Sequence, residues 1–250
     1  MLAELLELAP EGFEQVDGDG YVEFALYGAP GELPELAPGR AEIAGLPVDV
    51  SGSEVGDDWA DRWREFHQPA QVGQIRVRAP WHEPANDGID LVIDPGQAFG
   101  TGAHPTTRMC LELLQGLPAG GPLADLGCGS GVLAIAAAKL GFAPVTAIDH
   151  ETAAVRATTD NARANGVTLE RVERVDLRTE AAPVAPVMVA NLVRPLLLRM
   201  AELLPEQPEA LIVSGLLEGD EEVVAAAFAP LRERRRRRLQ EWSALLMTRP

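Results

Sequence analysis

Cysteine is nearly absent from this 250-residue chain, which holds only Cys110 and Cys128. Two cysteines are too few for a disulfide framework, and their spacing fits no metal-ligand pattern, so a reducing cytoplasm and no metal are expected. Lysine is scarcer still, since of 21 basic residues all but Lys139 are arginine. Positive charge as a whole is outweighed by 38 acidic residues, leaving a net charge of −17. That balance argues against a broad phosphate-binding surface, which needs clustered cations to displace counterions, and no direct nucleic-acid binding is expected. Long apolar runs are also missing. No segment approaches membrane-spanning length, and MLAELLELAP carries glutamates where a secretory leader would carry a basic start.

What is present suffices for a globular fold. With 46% hydrophobic and 24% charged residues, the chain can bury a proper core, as one large domain or as a large domain with a small appendage. One basic run stands out, Arg232 to Arg238. It reads either as a solvated edge strand or loop, or as an RNA- or partner-contacting patch.

Organisation changes twice along the chain. Residues 1–52 read as a small α+β unit: an apolar helix over LAELLELA, a polar turn at VDGDG, a strand at YVEFALYG, then a Pro/Gly-rich passage and a short strand near LPVDV. Residues 53–71 read as a linker helix, with Ser53, Asp57 and Asp58 for N-capping and Trp59, Trp63 and Phe66 on one face. That aromatic stripe suits packing or, alternatively, a ligand cage. From residue 72 to 250 strands, loops and helices alternate, which predicts an α/β fold with a parallel sheet covered by helices on both faces. The last two strand-like runs, RRRLQEW and SALLMTR, have no helix between them and predict an antiparallel C-terminal hairpin.

Chemistry concentrates in LADLGCGSGVLAIA, where a strand runs into Gly127, Gly129 and Gly131 and a helix starts at once. Backbone amides and the helix N-terminus then face whatever lies over the turn. A Walker ending of Gly-Lys-Ser/Thr is missing, and the dinucleotide pattern would need glycine at Val132. The spacing is GxGxG instead, with Asp125 two residues ahead and Asp149 ending the next strand, where a carboxylate can accept both hydroxyls of a ribose. Glycines also serve tight strand-to-helix turns without any ligand. A second stretch, DPGQAFGTGAHPTT at residues 94–107, packs glycines, prolines and threonines around one aromatic, Phe99, so its backbone is shaped for a close approach. His104 within it is a candidate base or a residue that fixes the loop.

LADLGCGSGVLAIAAAKLG followed by AID resembles the first two motifs of class I S-adenosylmethionine-dependent methyltransferases. DPGQAFGTGAHPTTRMCLELL, with VANL and SGLL further on, resembles the more specific signature of the ribosomal protein L11 methyltransferase family (PrmA). The similarity runs from about residue 53 to the C-terminus. It implies a Rossmann-like catalytic domain, S-adenosylmethionine as cofactor, and a small N-terminal domain that recognises a ribosomal protein whose amino groups are methylated. By position, the resemblance places Phe99, Gly100, Thr101, Gly102, Thr107, Asp125, Gly127, Gly129, Gly131, Asp149 and Asn191 around the cofactor, with Asn191 also beside the target amine as the catalytic residue. A cytoplasmic monomer is expected. Departures are Pro186 where the family has aspartate, PEQPEA in place of a Pro-Gly-Gly turn, His150, and a chain that opens almost inside the recognition domain's first helix, so that its first strand is expected to be lacking. Two alternatives stay open: the same chemistry on another protein or a small amine, and a catalytically idle ribosome-binding protein.

Overall fold

The structure, a computed structural model, describes residues 14–18, 21–25, 39–43, 45–52, 68–85, 87–94, 100 and 102–250. The helix expected over LAELLELA, Trp59, Trp63 and Phe66 of the linker, and the site residues Phe99 and Thr101 lie outside the described residues. The chain divides into two compact units, 1–62 and 63–250.

Two antiparallel hairpins are described in the first unit. Strand β1 (Glu14–Gly18) pairs with β2 (Tyr21–Ala25), with Gly18 opposite Tyr21. Strands β3 (Gly39–Ile43) and β4 (Leu46–Val50) pair likewise around Gly45, which holds a left-handed φ of 76°. Residues 16–18 of the VDGDG segment, expected as a turn, are therefore strand. The segment's only apolar residue is Val16, so it lacks the alternation by which a half-buried strand is recognised.

The second unit opens with a three-stranded sheet, order β5-β6-β7, made of Ala70–Val72, Ile75–Arg78 and Ile89–Val92. Ala70 and Gln71, expected at the end of the linker helix, belong instead to β5. Gly73, at φ 57°, turns the chain back so that Ala70 faces Val77. The guanidinium of Arg78 is 9% exposed and closes a bidentate pair with Asp90 across β6 and β7, Nε lying 2.9 Å from Oδ2.

The main sheet has seven strands in the order β10-β9-β8-β11-β12-β14-β13. Strands β8 (Leu123–Leu126), β9 (Val145–Asp149), β10 (Arg171–Arg174), β11 (Val187–Asn191) and β12 (Ala210–Leu217) run parallel. The terminal hairpin of β13 (Arg232–Leu239) and β14 (Trp242–Thr248) brings β14 antiparallel against β12, as the missing helix between the two runs required. The described helices are α1 (Pro105–Leu114), α2 (Val132–Leu140), α3 (Thr152–Ala164), α4 (Arg194–Leu203) and α5 (Glu221–Ala227).

Two hydrophobic clusters lie on opposite faces of this sheet. One joins Ile75, Leu91, Leu111, Ile135, Val189, Ile212 and Leu246, so that α1, α2 and the small sheet share a face. The other joins Leu126, Met188, Leu197, Leu211, Phe228 and Leu245 under α4 and α5. Successive residues of β12 and β14 alternate between the clusters, as the two-residue period of a strand demands. The parallel strands all end on one side, and that is where the candidate site lies.

The described part of the arginine run is the edge strand of the sheet. Arg236 is held by Glu222 and Glu233, Arg237 by Glu112, and Arg238 by Glu221. Charged side chains on an open edge deter pairing with a further strand. Asn165, after the last turn of α3, ties that helix to the small sheet: its Oδ1 accepts from the Val92 N–H at 2.9 Å, and its Nδ2 donates to the Val92 carbonyl at 2.6 Å.

Candidate functional site

Strand β8 is buried at all four positions, so the chain leaves it deep in the molecule and must turn at once into α2. The turn uses left-handed backbone at Gly127 (φ 76°), Gly129 (φ 53°) and Gly131 (φ 83°). A Cβ at Gly131 would lie 2.9 Å from Thr158 Cγ2 and 3.0 Å from its Cα, and one at Gly127 would strike Leu192. Close approach and positive φ both exclude larger residues here.

Hydrogen bonds fix this turn from below. The N–H groups of Gly127 and Cys128 both donate to the Ile148 carbonyl at 2.9 Å, and Gly129 N–H donates to Asp149 Oδ2 at 2.9 Å. These amides are thus spent on protein partners. The turn is a bare, tightly held shape with a helix N-terminus behind it, rather than a row of free donors. Asp149, whose side chain is 11% exposed, also accepts from Glu151 N–H at 3.0 Å. His150 Nδ1 lies 3.2 Å from the same oxygen, Oδ1, so of the carboxylate's roughly four acceptor positions at least one stays open to a hydroxyl donor.

Asp125 sits under the turn and is 1% exposed. Its Oδ2 accepts from the Ala134 N–H in the first turn of α2 at 2.9 Å, while its buried Oδ1 has no partner among the described residues. Burial pushes its pKa up to about 7, against the Ala134 hydrogen bond that lowers it and the neighbouring Asp149 charge that raises it further. The folded state therefore holds this proton more tightly than the unfolded chain does. Stability from this group is full below pH ~4 and is lost as pH rises towards ~7. Chemical denaturation of wild type and Asp125→Asn across that window is expected to show the decline in wild type only; equal slopes would mean the carboxylate is solvated.

Asp94 and Gly100 are tied to the turn through two side chains that the sequence pattern did not single out. Ser130, fully buried, donates from Oγ to the Gly100 carbonyl at 2.6 Å. Asn161 of α3, 4% exposed, accepts from Asp94 N–H at 3.0 Å and donates to the Ser130 carbonyl at 2.9 Å. Thr158, one turn earlier, donates to the Gly129 carbonyl at 3.0 Å. A clue existed in their spacing, since Thr158, Asn161 and Asn165 fall three and four residues apart on one helical face. Gly102, at φ 87°, passes so near β6 that a Cβ would lie 2.6 Å from Val77.

Across the sheet, Asn191 ends β11 opposite Ser214 of β12. Its Nδ2 approaches Thr107 Oγ1 of α1 at 3.5 Å, which leaves the amide oxygen to accept from something else. His104 is the N-cap of α1: its Nδ1 accepts from Thr106 N–H at 3.3 Å, and its ring meets Trp242 edge-on with centroids 5.2 Å apart. Burial lowers its pKa more than Glu241 raises it, so the ring is neutral at pH 7. Of the two roles open to it, the geometry gives the loop-fixing one. Cys110 and Cys128 are both buried and free, with burial raising both thiols.

The structure therefore gathers Gly100, Gly127, Gly129, Gly131 and Asp149 into one cradle, sets Asn191 and Thr107 beside it, and puts Asp125 beneath as the support of α2. Tight glycine backbone and a carboxylate with spare acceptor capacity fit a ribose-bearing cofactor.

Comparison with known proteins agrees with this geometry. The family described as ribosomal protein L11 methyltransferase (PrmA) matches residues 42–250. The ribosomal protein L11 methyltransferase of Geobacter sp. strain M21 is 41% identical over 208 residues, covering 78% of this chain and 68% of that protein. Its counterpart from Pelobacter propionicus is 37% identical over 232 residues, covering 87% and 74%. Among solved structures, the ribosomal protein L11 methylase of Lactobacillus delbrueckii subsp. bulgaricus superposes with a TM-score of 0.65 at 26% identity, covering 72% of this chain and 98% of that one.

Proposed function

The chain belongs to the ribosomal protein L11 methyltransferase (PrmA) family and is a methyltransferase, and from that premise we propose that it methylates amino groups of ribosomal protein L11 with S-adenosylmethionine as donor. The observation that carries this reading is the glycine turn bonded to Asp149, with Asn191 and Thr107 at the adjoining strand end. The second unit, 63–250, would hold the chemistry, and the first unit, 1–62, would contribute substrate recognition. Among the described residues no helix is long and apolar enough to cross a membrane.

When bound, S-adenosylmethionine supplies a methyl group on a sulfonium, which passes to nitrogen as the carbon–sulfur bond breaks. The protein's residues have three tasks around that displacement. Asp149 would hold the ribose through acceptor capacity that Gly129, Glu151 and His150 leave unused. The Gly127–Gly131 turn lets the donor lie against bare backbone. Asn191 presents its amide oxygen to an N–H of the incoming amine and so aims the nitrogen lone pair at the methyl group. An amine that arrives neutral needs no strong base, which suits a site whose histidine is committed to capping α1.

The direct experiment is incubation with labelled S-adenosylmethionine and unmethylated ribosomal proteins. Label is expected in ribosomal protein L11; label confined to another protein or a small amine would replace the substrate assignment, and none at all would sink the reading. Calorimetry of Asp149→Ala is expected to show cofactor binding weakened by about 5- to 150-fold, the ~1–3 kcal/mol of charge-assisted hydrogen bonds. Unchanged affinity there would remove Asp149 from the site.

A further inference from the structure

At the carboxyl end of the main sheet the register sets Leu217 of β12 opposite Trp242 of β14, and Trp242 opposite Leu239 of β13. Directly opposed residues share a face. The contact of Trp242 with His104 identifies that face as the one covered by α1, on which Asn191 also meets Thr107. Leu217 is 49% exposed and Leu239 37%, and Val193, two residues beyond Asn191, is 62% exposed. With neighbouring strands about 4.8 Å apart, the row of Leu217, Trp242 and Leu239 spans roughly 10 Å, and it lies three residues along β12 from Ser214, the partner of Asn191. Large apolar side chains exposed together beside a site mark a surface for contact.

Two carboxylates border the row. Glu218 follows Leu217, Glu241 precedes Trp242, and the Glu218 N–H donates to the Glu241 carbonyl at 3.3 Å. Both are exposed, and neither forms an ion pair with the described residues. Their neighbours Glu221, Glu222 and Glu233 are held by Arg236 and Arg238. An apolar strip with unneutralised carboxylates complements a segment that carries aliphatic and cationic side chains together. It repels phosphate, and on a chain of net charge −17 it disfavours a second copy.

We propose that Leu217, Trp242 and Leu239, bordered by Glu218 and Glu241, form a docking platform for a basic, aliphatic segment of the protein acceptor next to the amine being methylated. This rests on the reading that the acceptor is a protein amine. Binding energy collected here, away from the reacting nitrogen, holds the amine in place for displacement.

The test uses the full chain, unmodified ribosomal protein L11 and labelled S-adenosylmethionine. Two double variants are compared with wild type: Leu217→Ser with Leu239→Ser, and Glu218→Arg with Glu241→Arg. Each is expected to raise KM for the protein acceptor about tenfold or more, with kcat and the calorimetric Kd for S-adenosylmethionine within about twofold. Unchanged KM in both variants, with wild type active, overturns the platform alone. An inactive wild type overturns the platform and the substrate reading together. If sedimentation shows wild type to be a dimer that the variants dissociate, the row is an interface between copies and the platform is also overturned.

Discussion

Replacing Asn191 with alanine is expected to lower kcat by about a hundredfold or more while leaving the Kd for S-adenosylmethionine within about threefold. The expectation comes from placement. Asn191 is the last residue of β11, one past the final pairing with β8, and is set opposite Ser214 of β12, whose carbonyl accepts from the next N–H, that of Leu192, at 3.1 Å. Its Nδ2 is turned towards Thr107 Oγ1 at 3.5 Å, which points the amide oxygen away from α1. An acceptor held that rigidly can orient an amine for in-line attack, and a misplacement of about 1 Å in such a reaction costs on the order of a hundredfold. Asp149 and the glycine turn lie on β8 and β9 and keep their own hydrogen bonds in the variant, so cofactor affinity is preserved. Steady-state kinetics and calorimetry on one preparation separate the two effects. Full activity in Asn191→Ala would reduce the residue to a strand terminator; a parallel loss of affinity would make it a cofactor ligand instead.

The second large effect is one of stability. Gly131→Ala is expected to destabilise the protein by about 3 kcal/mol, against about 1 kcal/mol for Gly166→Ala. Both glycines have left-handed backbone, at φ 83° and 64°, so both variants carry the ~1–2 kcal/mol cost of an L-residue there. Only Gly131 adds a packing cost. Its new methyl would press on Thr158 within 3.0 Å, one of the contacts being backbone, whereas a Cβ at Gly166 meets nothing within 4 Å. Overpacking of this kind costs a further ~1–3 kcal/mol. Because the Gly131 carbonyl accepts from Ile135 N–H and begins α2, the strain also moves the helix N-terminus, and cofactor affinity should fall in Gly131→Ala alone. Urea denaturation measures the first difference and calorimetry the second. Equal destabilisation by the two variants would mean that Thr158 moves aside freely.

These sites differ in how far the sequence announces them. The glycine turn, Asp149 and the terminal hairpin are local signals: strand, turn residues and helix adjoin in the chain, and β13 and β14 follow each other with no room for a crossover. The four described strands of the first unit were half seen, because Glu14–Gly18 has Val16 as its one apolar residue and the alternation of Gly39–Ile43 is only four residues long, directly behind a Pro/Gly-rich passage. Ser130 and Asn161 were missed for another reason. Their work is to join segments 30 and 67 residues apart in the chain, and no local pattern encodes such a bond. His104 illustrates the converse, a residue whose type suggested acid–base chemistry and whose surroundings, Thr106 and Trp242, give it to the start of α1.

The clamp of Asn165 on Val92 has a consequence during synthesis. Strand β7 is an outer strand of the small sheet, and at Val92 both its N–H and its carbonyl are covered by one side-chain amide. The amide that closes this edge lies 73 residues further along the chain. At a ribosomal rate of roughly 5–20 residues per second, β7 waits about 4 to 15 s before its cover is made. In that interval its backbone is an open template for another strand. The nascent chain is thus most exposed to wrong pairing before the end of α3 emerges, and Asn165 is the residue that ends the interval.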